Sequence, residues 1–260
     1  MLSATGIEVR YGDHLALRGI DFRARAGEVS AIVGPNGSGK TSLLGAITAT
    51  VPYRGAVMLN GRDIAGQRPW ELAAQRAVLP QAARLAFPFT VLEVVRLGLQ
   101  AGTSGARDEV PMLALSRVGM TEHAGRSFQD LSGGEAQRVM LARVLAQVWA
   151  PVADGQPRWL LLDEPVASLD IAHQLQVMDL ARDFARAGGG VVAVMHDLNL
   201  TALYSDAVTV LSRGRCLASG HPRDVMTDDT LSEAYGCSLR VSVPPAEGLP
   251  YILPQSAAQW

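Results

Sequence analysis

Lysine is almost missing from this sequence. Of 23 basic side chains, Lys40 is the one lysine and the rest are arginine. Cysteine is nearly as scarce: Cys216 and Cys237 stand alone, spaced neither as metal ligands nor as a disulfide framework, so free thiols are expected. Neither sign of charge dominates, with 23 basic against 25 acidic residues and a formal net charge of -2. That balance lacks the broad positive footprint of a duplex-binding protein, and nucleic acid is not an expected partner. Long apolar runs are absent too. No uncharged stretch approaches the roughly 20 residues of a spanning helix, and the opening MLSATGIEVRYG has no basic region followed by an apolar one. A soluble, cytoplasmic chain is expected. What remains is an ordinary globular balance, 48% apolar and 18% charged over 260 residues, which excludes disorder, collagen and small disulfide scaffolds.

Alternation from Ile7 to Tyr11 and from Leu15 to Phe22 predicts two strands turning at Gly12-Asp13, and the apolar run Val29 to Val33, ending on glycine, predicts a buried strand. A helical pattern covers Gly39 to Thr48, a short strand Gly55 to Leu59, and a short helix Trp70 to Arg76 leads into Ala77 to Leu79. Between about 85 and 150 strand patterns vanish, leaving helical pieces near 90–100, 108–118 and 133–148, which read as a helical subdomain. Strands return at Trp159 to Leu162, Val191 to Met195, Ala207 to Leu211 and Cys216 to Ala218, with helices near 171–187 and 197–204. Strand alternating with helix implies an α/β layer around a largely parallel sheet. Gly188-Gly189-Gly190 reads as a turn. The Pro-rich tail from Val241 reads as a short hairpin or an appended strand.

Gly34-Pro35-Asn36-Gly37-Ser38-Gly39-Lys40-Thr41 fits the pattern G-x4-G-K-[ST], directly after an apolar strand and opening a helix. Glycines let such a loop wrap phosphate oxygens with backbone N–H groups at a helix N-terminus, and Lys40 adds a full charge near the β and γ phosphates. Thr41 supplies a hydroxyl to Mg2+, and the only lysine of the chain occupies the phosphate position. Farther on, the apolar strand from Trp159 ends in Asp163 and Glu164. A buried strand finishing in carboxylates needs a cation or a proton beside them. Next to a P-loop, Asp163 is expected to hold Mg2+, and Glu164 to orient and polarise the attacking water.

Leu131-Ser132-Gly133-Gly134-Glu135, lying between the P-loop and Asp163-Glu164, resembles the signature of the ATP-binding cassette (ABC) ATPases. The resemblance covers roughly residues 3 to 225 and implies an ABC-type nucleotide-binding domain of the P-loop NTPase fold. That domain has an N-terminal antiparallel β subdomain, a mixed, largely parallel core sheet and a helical subdomain. It would occupy residues 1–240, with 241–260 a Pro-rich extension. On this resemblance ATP and Mg2+ are the ligands. Tyr11, which alone reads as packing, would stack on adenine, and Ser42 would join the phosphate loop. Gln81 would reach Mg2+ and water, Asp170 would lie in the loop after the catalytic acid, and His196 would contact the γ phosphate. Ser132 with the N–H groups of Gly133 and Gly134 forms a second anion cup, which in the family receives nucleotide held by a second copy packed head to tail. Val166-Ala167 departs from the family's usual pair, and the connector between Gln147 and Trp159 is longer than usual.

A single cassette with no membrane segment resembles the energising subunit of a bacterial importer, peripheral on the cytoplasmic face of the inner membrane. ELAAQRAVLPQ and AFPFTVLEVVRLG resemble the branch serving iron-siderophore, haem and cobalamin importers. FPFTV, the long connector and DEPVASLDIAHQ look most like its haem members. That implies permease subunits and, indirectly, a periplasmic haem-binding protein as partners. Iron-siderophore or cobalamin import is the alternative, and a non-transport cassette a more distant one. The permease is expected to dock near Gln81 and the helical region after it, with Arg84 on that surface.

Overall fold

The computed structural model describes residues 1–81, 87–101, 108–244, 248 and 250–256. The chain opens with two long antiparallel strands, β1 (Leu2–Tyr11) and β2 (His14–Ala24), followed by β3 (Val29–Val33) and helix α1 (Lys40–Ile47). Next come β4 (Arg54–Leu59), β5 (Arg62–Asp63), α2 (Pro69–Gln75) and β6 (Arg76–Leu79), then the helices α3 (Val91–Ala101), α4 (Val110–Arg117) and α5 (Gly133–Gln147). A small hairpin, β7 (Val152–Ala153) and β8 (Gln156–Pro157), precedes β9 (Trp159–Asp163), α6 (Ile171–Arg186), β10 (Gly190–Val194) and α7 (Leu198–Tyr204). The described order closes with β11 (Ala207–Ser212), β12 (Arg215–Gly220), α8 (Pro222–Val225) and α9 (Asp228–Tyr235). Among the described residues no helix is long and apolar enough to cross a membrane.

Two sheets result. One is antiparallel, in the order β2-β1-β4-β5; the other has the order β12-β11-β3-β10-β9-β6. In the second, β11, β3, β10, β9 and β6 run parallel and β12 closes one edge antiparallel. The central strands are apolar on both faces because both faces are covered. In β9, Trp159 and Leu161 point to the core shared with α1 and the antiparallel sheet, while Leu160 and Leu162 point to the core shared with α3, α5 and α6. The same period of two splits β10, with Val192 and Val194 on the first side and Val191 and Ala193 on the second.

The register of the parallel strands gathers their C-terminal ends at one edge. Val194 pairs with Asp163 and with Ile32, and Leu79 with Leu162. The residues that follow β3, β6, β9 and β10 therefore emerge side by side, the arrangement in which open α/β sheets place ligand sites.

Three expectations change. The tail is neither hairpin nor strand among the described residues: a 3-10 turn at Pro254–Ser256 lies against α7, where Gln255 Nε2 donates to the Asn199 carbonyl at 3.0 Å. Proline has no N–H for a ladder, which explains the outcome. The long connector folds as the β7–β8 hairpin, turning at Asp154 and Gly155 with positive φ. And the glycine triplet is more than a turn, since Gly190 begins β10 and a Cβ there would collide with the buried Trp159 ring.

Candidate nucleotide site

The loop after β3 is shaped by close backbone approach. Gly34 has φ +149°, and a Cβ on it would strike the Leu211 carbonyl oxygen of β11. From there the loop turns into α1, whose N-cap, Gly39, makes no side-chain capping bond and whose first turn carries no acid. Its leading N–H groups are thus left to an anion from outside the helix. Lys40 is buried and donates from Nζ to the carbonyls of Gly34 at 2.8 Å and Pro35 at 3.1 Å. Burial lowers the pKa of its ammonium, and the nearby Glu164 and Asp163 carboxylates oppose that shift. The Ser38 hydroxyl is buried with no hydrogen-bond partner among the described residues. Tyr11, at the end of β1 and half exposed, comes within 3.4 Å of the Ser42 hydroxyl through its own, so its ring lies beside the start of α1.

Asp163 ends β9 in this same neighbourhood. Its carboxyl is pushed up to about 6, first by burial and then by Glu164, against the opposing pull of Lys40, His196 and a hydrogen bond with the Thr41 side chain. One of its oxygens, Oδ1, is buried without a hydrogen-bond partner among the described residues. An orphaned carboxylate oxygen next to a threonine hydroxyl is an all-oxygen donor set of the kind a small hard cation prefers.

Glu164 is the hub. Its φ is +52°, in the left-handed region that a non-glycine residue enters at a cost of roughly 1–3 kcal/mol. That turn aims the carboxylate along the strand ends, while the amide donates to the Val194 carbonyl at 3.1 Å. Oε2 accepts from Gln81 Nε2 at 3.0 Å, and Oε1 lies 2.5 Å from His196 Nε2. The residues following β6, β9 and β10 thus converge on one carboxylate.

The signature segment begins α5. Ser132 is its N-cap: the hydroxyl accepts from the Glu135 amide at 3.3 Å and Glu135 Oε2 accepts from the Ser132 amide at 2.7 Å, a reciprocal capping box. Those bonds hold the Glu135 carboxyl below its ordinary range, with Arg126 and His123 adding to the effect. Leu131 packs on the main core and Gly133 is open to solvent. Gly134 faces the Ser168 carbonyl, so the signature turn abuts the loop after Glu164. Asp170 caps α6, accepting from the His173 amide at 3.0 Å and lying 2.8 Å from its Nδ1. Among the described residues, no hydrogen bond joins Leu131–Glu135 to the phosphate loop. Arg84 lies outside the described residues.

A family model described as ABC transporter matches residues 17–167. The "Hemin import ATP-binding protein HmuV" of Jannaschia sp. (strain CCS1) is 62% identical over 257 residues, covering 99% of this chain and 95% of its own. The protein of the same name from Roseobacter denitrificans is 62% identical over 256 residues, covering 98% of each. The chain belongs to the ABC transporter family. Among solved structures, the ATP-binding subunit of an ABC transporter superposes with a TM-score of 0.77 at 23% identity, covering 92% of this chain and 95% of that one. A bacterial Atm1-family ABC exporter with ATP bound gives 0.78 at 26% identity, covering 95% of this chain and 42% of that one. These likenesses place the fold as that of an ABC ATPase cassette.

Within this ABC cassette two further contacts bear on the site, and they differ in how far the sequence pattern signals them. Gln137, one turn into α5, donates from Nε2 to the Glu164 carbonyl at 3.2 Å and so ties the signature helix to the hub. Asp197, beside His196, accepts from the amides of Asn199 and Leu200 as the N-cap of α7. Asp-x-x-Leu at a helix start was readable as a cap; Gln137 was not readable, because its partner is distant in sequence.

Proposed function

We propose that this chain is the ATP-hydrolysing subunit of a haem importer, a peripheral protein on the cytoplasmic face of the bacterial inner membrane. It works there as a head-to-tail pair of copies beneath the permease subunits. The observation that carries the chemistry is Glu164, held between Gln81 and His196 beside the buried Asp163. The cargo rests on the likeness to hemin import ATP-binding proteins along nearly the whole chain.

In this reading the free N–H groups of the loop and of the start of α1 bind the β and γ phosphates, and Lys40 exchanges loop carbonyls for phosphate oxygens. Tyr11 stacks on the adenine. Thr41, Asp163 and Gln81 hold Mg2+, which when bound neutralises charge on the phosphate oxygens. Glu164 orients the attacking water and draws its proton as the oxygen bonds to the γ phosphorus and the bond to the β-phosphate oxygen breaks, leaving ADP and phosphate. His196 fixes the Glu164 carboxylate and reaches the γ phosphate. Ser132, Gly133 and Gly134 of one copy close over nucleotide bound to the other, supplying oriented donors and excluding water; Asp170 lies at the seam. The permease docks near Gln81 and the helical region after it. Residues 1–240 form the cassette and 241–260 the extension.

The test is reconstitution in liposomes with the permease encoded beside it. ATPase activity should rise when a haem-loaded periplasmic binding protein is enclosed. Stimulation by a siderophore- or cobalamin-loaded binding protein instead would reassign the cargo, and failure of any permease to co-purify would remove the transport role.

A further inference from the structure

Arg76, the first residue of β6, is buried, yet among the described residues it has no carboxylate partner. Its guanidinium donates instead to two main-chain carbonyls at the C-terminal end of the P-loop helix, Ile47 at 2.7 Å from Nη1 and Thr48 at 2.8 Å from Nη2. A cation there complements the negative end of α1 and satisfies carbonyls the helix cannot. Its own carbonyl is also engaged. Gln147, the last residue of α5 and likewise buried, donates from Nε2 to the carbonyls of Arg76 at 3.0 Å and Ala73 at 2.9 Å. Capping α1 accounts for the guanidinium alone and not for the second pair of bonds.

Three segments thus meet at Arg76 by their far ends, and their near ends carry Lys40 and Thr41, Gln81, and the signature turn. We infer that Arg76 is a positioning residue that, with Gln147, pins the P-loop helix and the signature helix to the strand leading to Gln81, so that the three sets of phosphate-facing groups keep one register. The lever explains why a pin is needed. Fifteen residues of α5 span about 22 Å, so a tilt of about 3° at Gln147 moves Ser132 by about 1 Å, a misplacement large enough to cost orders of magnitude in rate. The bonds to α1 and those to Gln147 use different atoms of Arg76, so either side can be released separately.

The inference rests on the phosphate-site assignment and is tested on the full-length chain with Gln147→Leu and Arg76→Met, Lys40→Ala serving as the separate control. ATP affinity, read with a fluorescent nucleotide, should stay within about twofold in both pin variants, while kcat, measured well below each variant's Tm, falls about tenfold or more. Arg76→Lys, able to reach one carbonyl, should recover part of the kcat. A lower Tm with kcat within twofold of the parent would make the cluster merely structural and overturn the inference, as would parallel loss of kcat and ATP affinity. Should Arg76→Met not fold, Gln147→Leu, which leaves both bonds to α1 intact, decides. Normal hydrolysis in Lys40→Ala would instead bring down the site assignment beneath it.

Discussion

The chemistry of single residues here is set by what surrounds them. Lys40 is a buried cation resting on two carbonyls. Lys40→Ala should lose ATPase activity and most nucleotide affinity, because an oriented charge in a partly dry site is removed; equilibrium binding of labelled ATP and phosphate release measure the two losses. Glu164 occupies a strained backbone position with both carboxylate oxygens engaged. Glu164→Gln keeps the shape and the strain but not the charge, so binding should persist while turnover falls at least about 100-fold, the scale of a lost general base. Unchanged single-turnover rates in that variant would take Glu164 out of the chemical step.

At the scale of elements, β9 and β10 show how close packing replaces side-chain choice. Trp159 is fully buried, its indole N–H donates to Asn60 Oδ1 at 3.0 Å, and its ring lies against the Gly190 backbone of the neighbouring strand. Gly190→Ala should therefore destabilise the fold by about 1–3 kcal/mol through overpacking, read as a lower urea midpoint with an unchanged slope. These strands were legible in the sequence because burial on both faces writes a continuous apolar run. The phosphate loop was legible because its chemistry is local. The helices α8 and α9 were not: at four and eight residues they are shorter than the window over which a helical period can be read, although their buried side chains, Pro222, Val225, Leu231 and Ala234, keep helical spacing within each. The β7–β8 strands are shorter than any period, although Asp154-Gly155 is a hairpin turn signal that could have marked them. The meeting of α1, β6 and α5 at Arg76 leaves no local trace, since its partners lie far away along the chain.

At the scale of the whole molecule, the proposed function makes the phosphate loop and the signature cup two anion sites at two helix N-termini, with no hydrogen bond between them among the described residues. In the proposed head-to-tail pair, both would engage one triphosphate. Ser38 is buried in the loop, so the exposed Asn36 is the better reporter. With the exposed Cys216 and Cys237 replaced, an Asn36→Cys chain mixed with a differently tagged Ser132→Cys chain, both carrying Glu164→Gln, should be joined by a short bifunctional thiol reagent only when Mg-ATP is present. A chain carrying both cysteines that closes on itself as a monomer, while the mixture never joins, would reject the two-copy site. The single buried lysine has a practical meaning as well. Apart from the Met1 amine, reagents that acylate amines have one address on this protein, the Lys40 nitrogen, and a lysine-specific protease has one bond to cut, at the threshold of α1. The extent of acylation at that nitrogen, read by mass, becomes a direct gauge of how often the loop lets its lysine go.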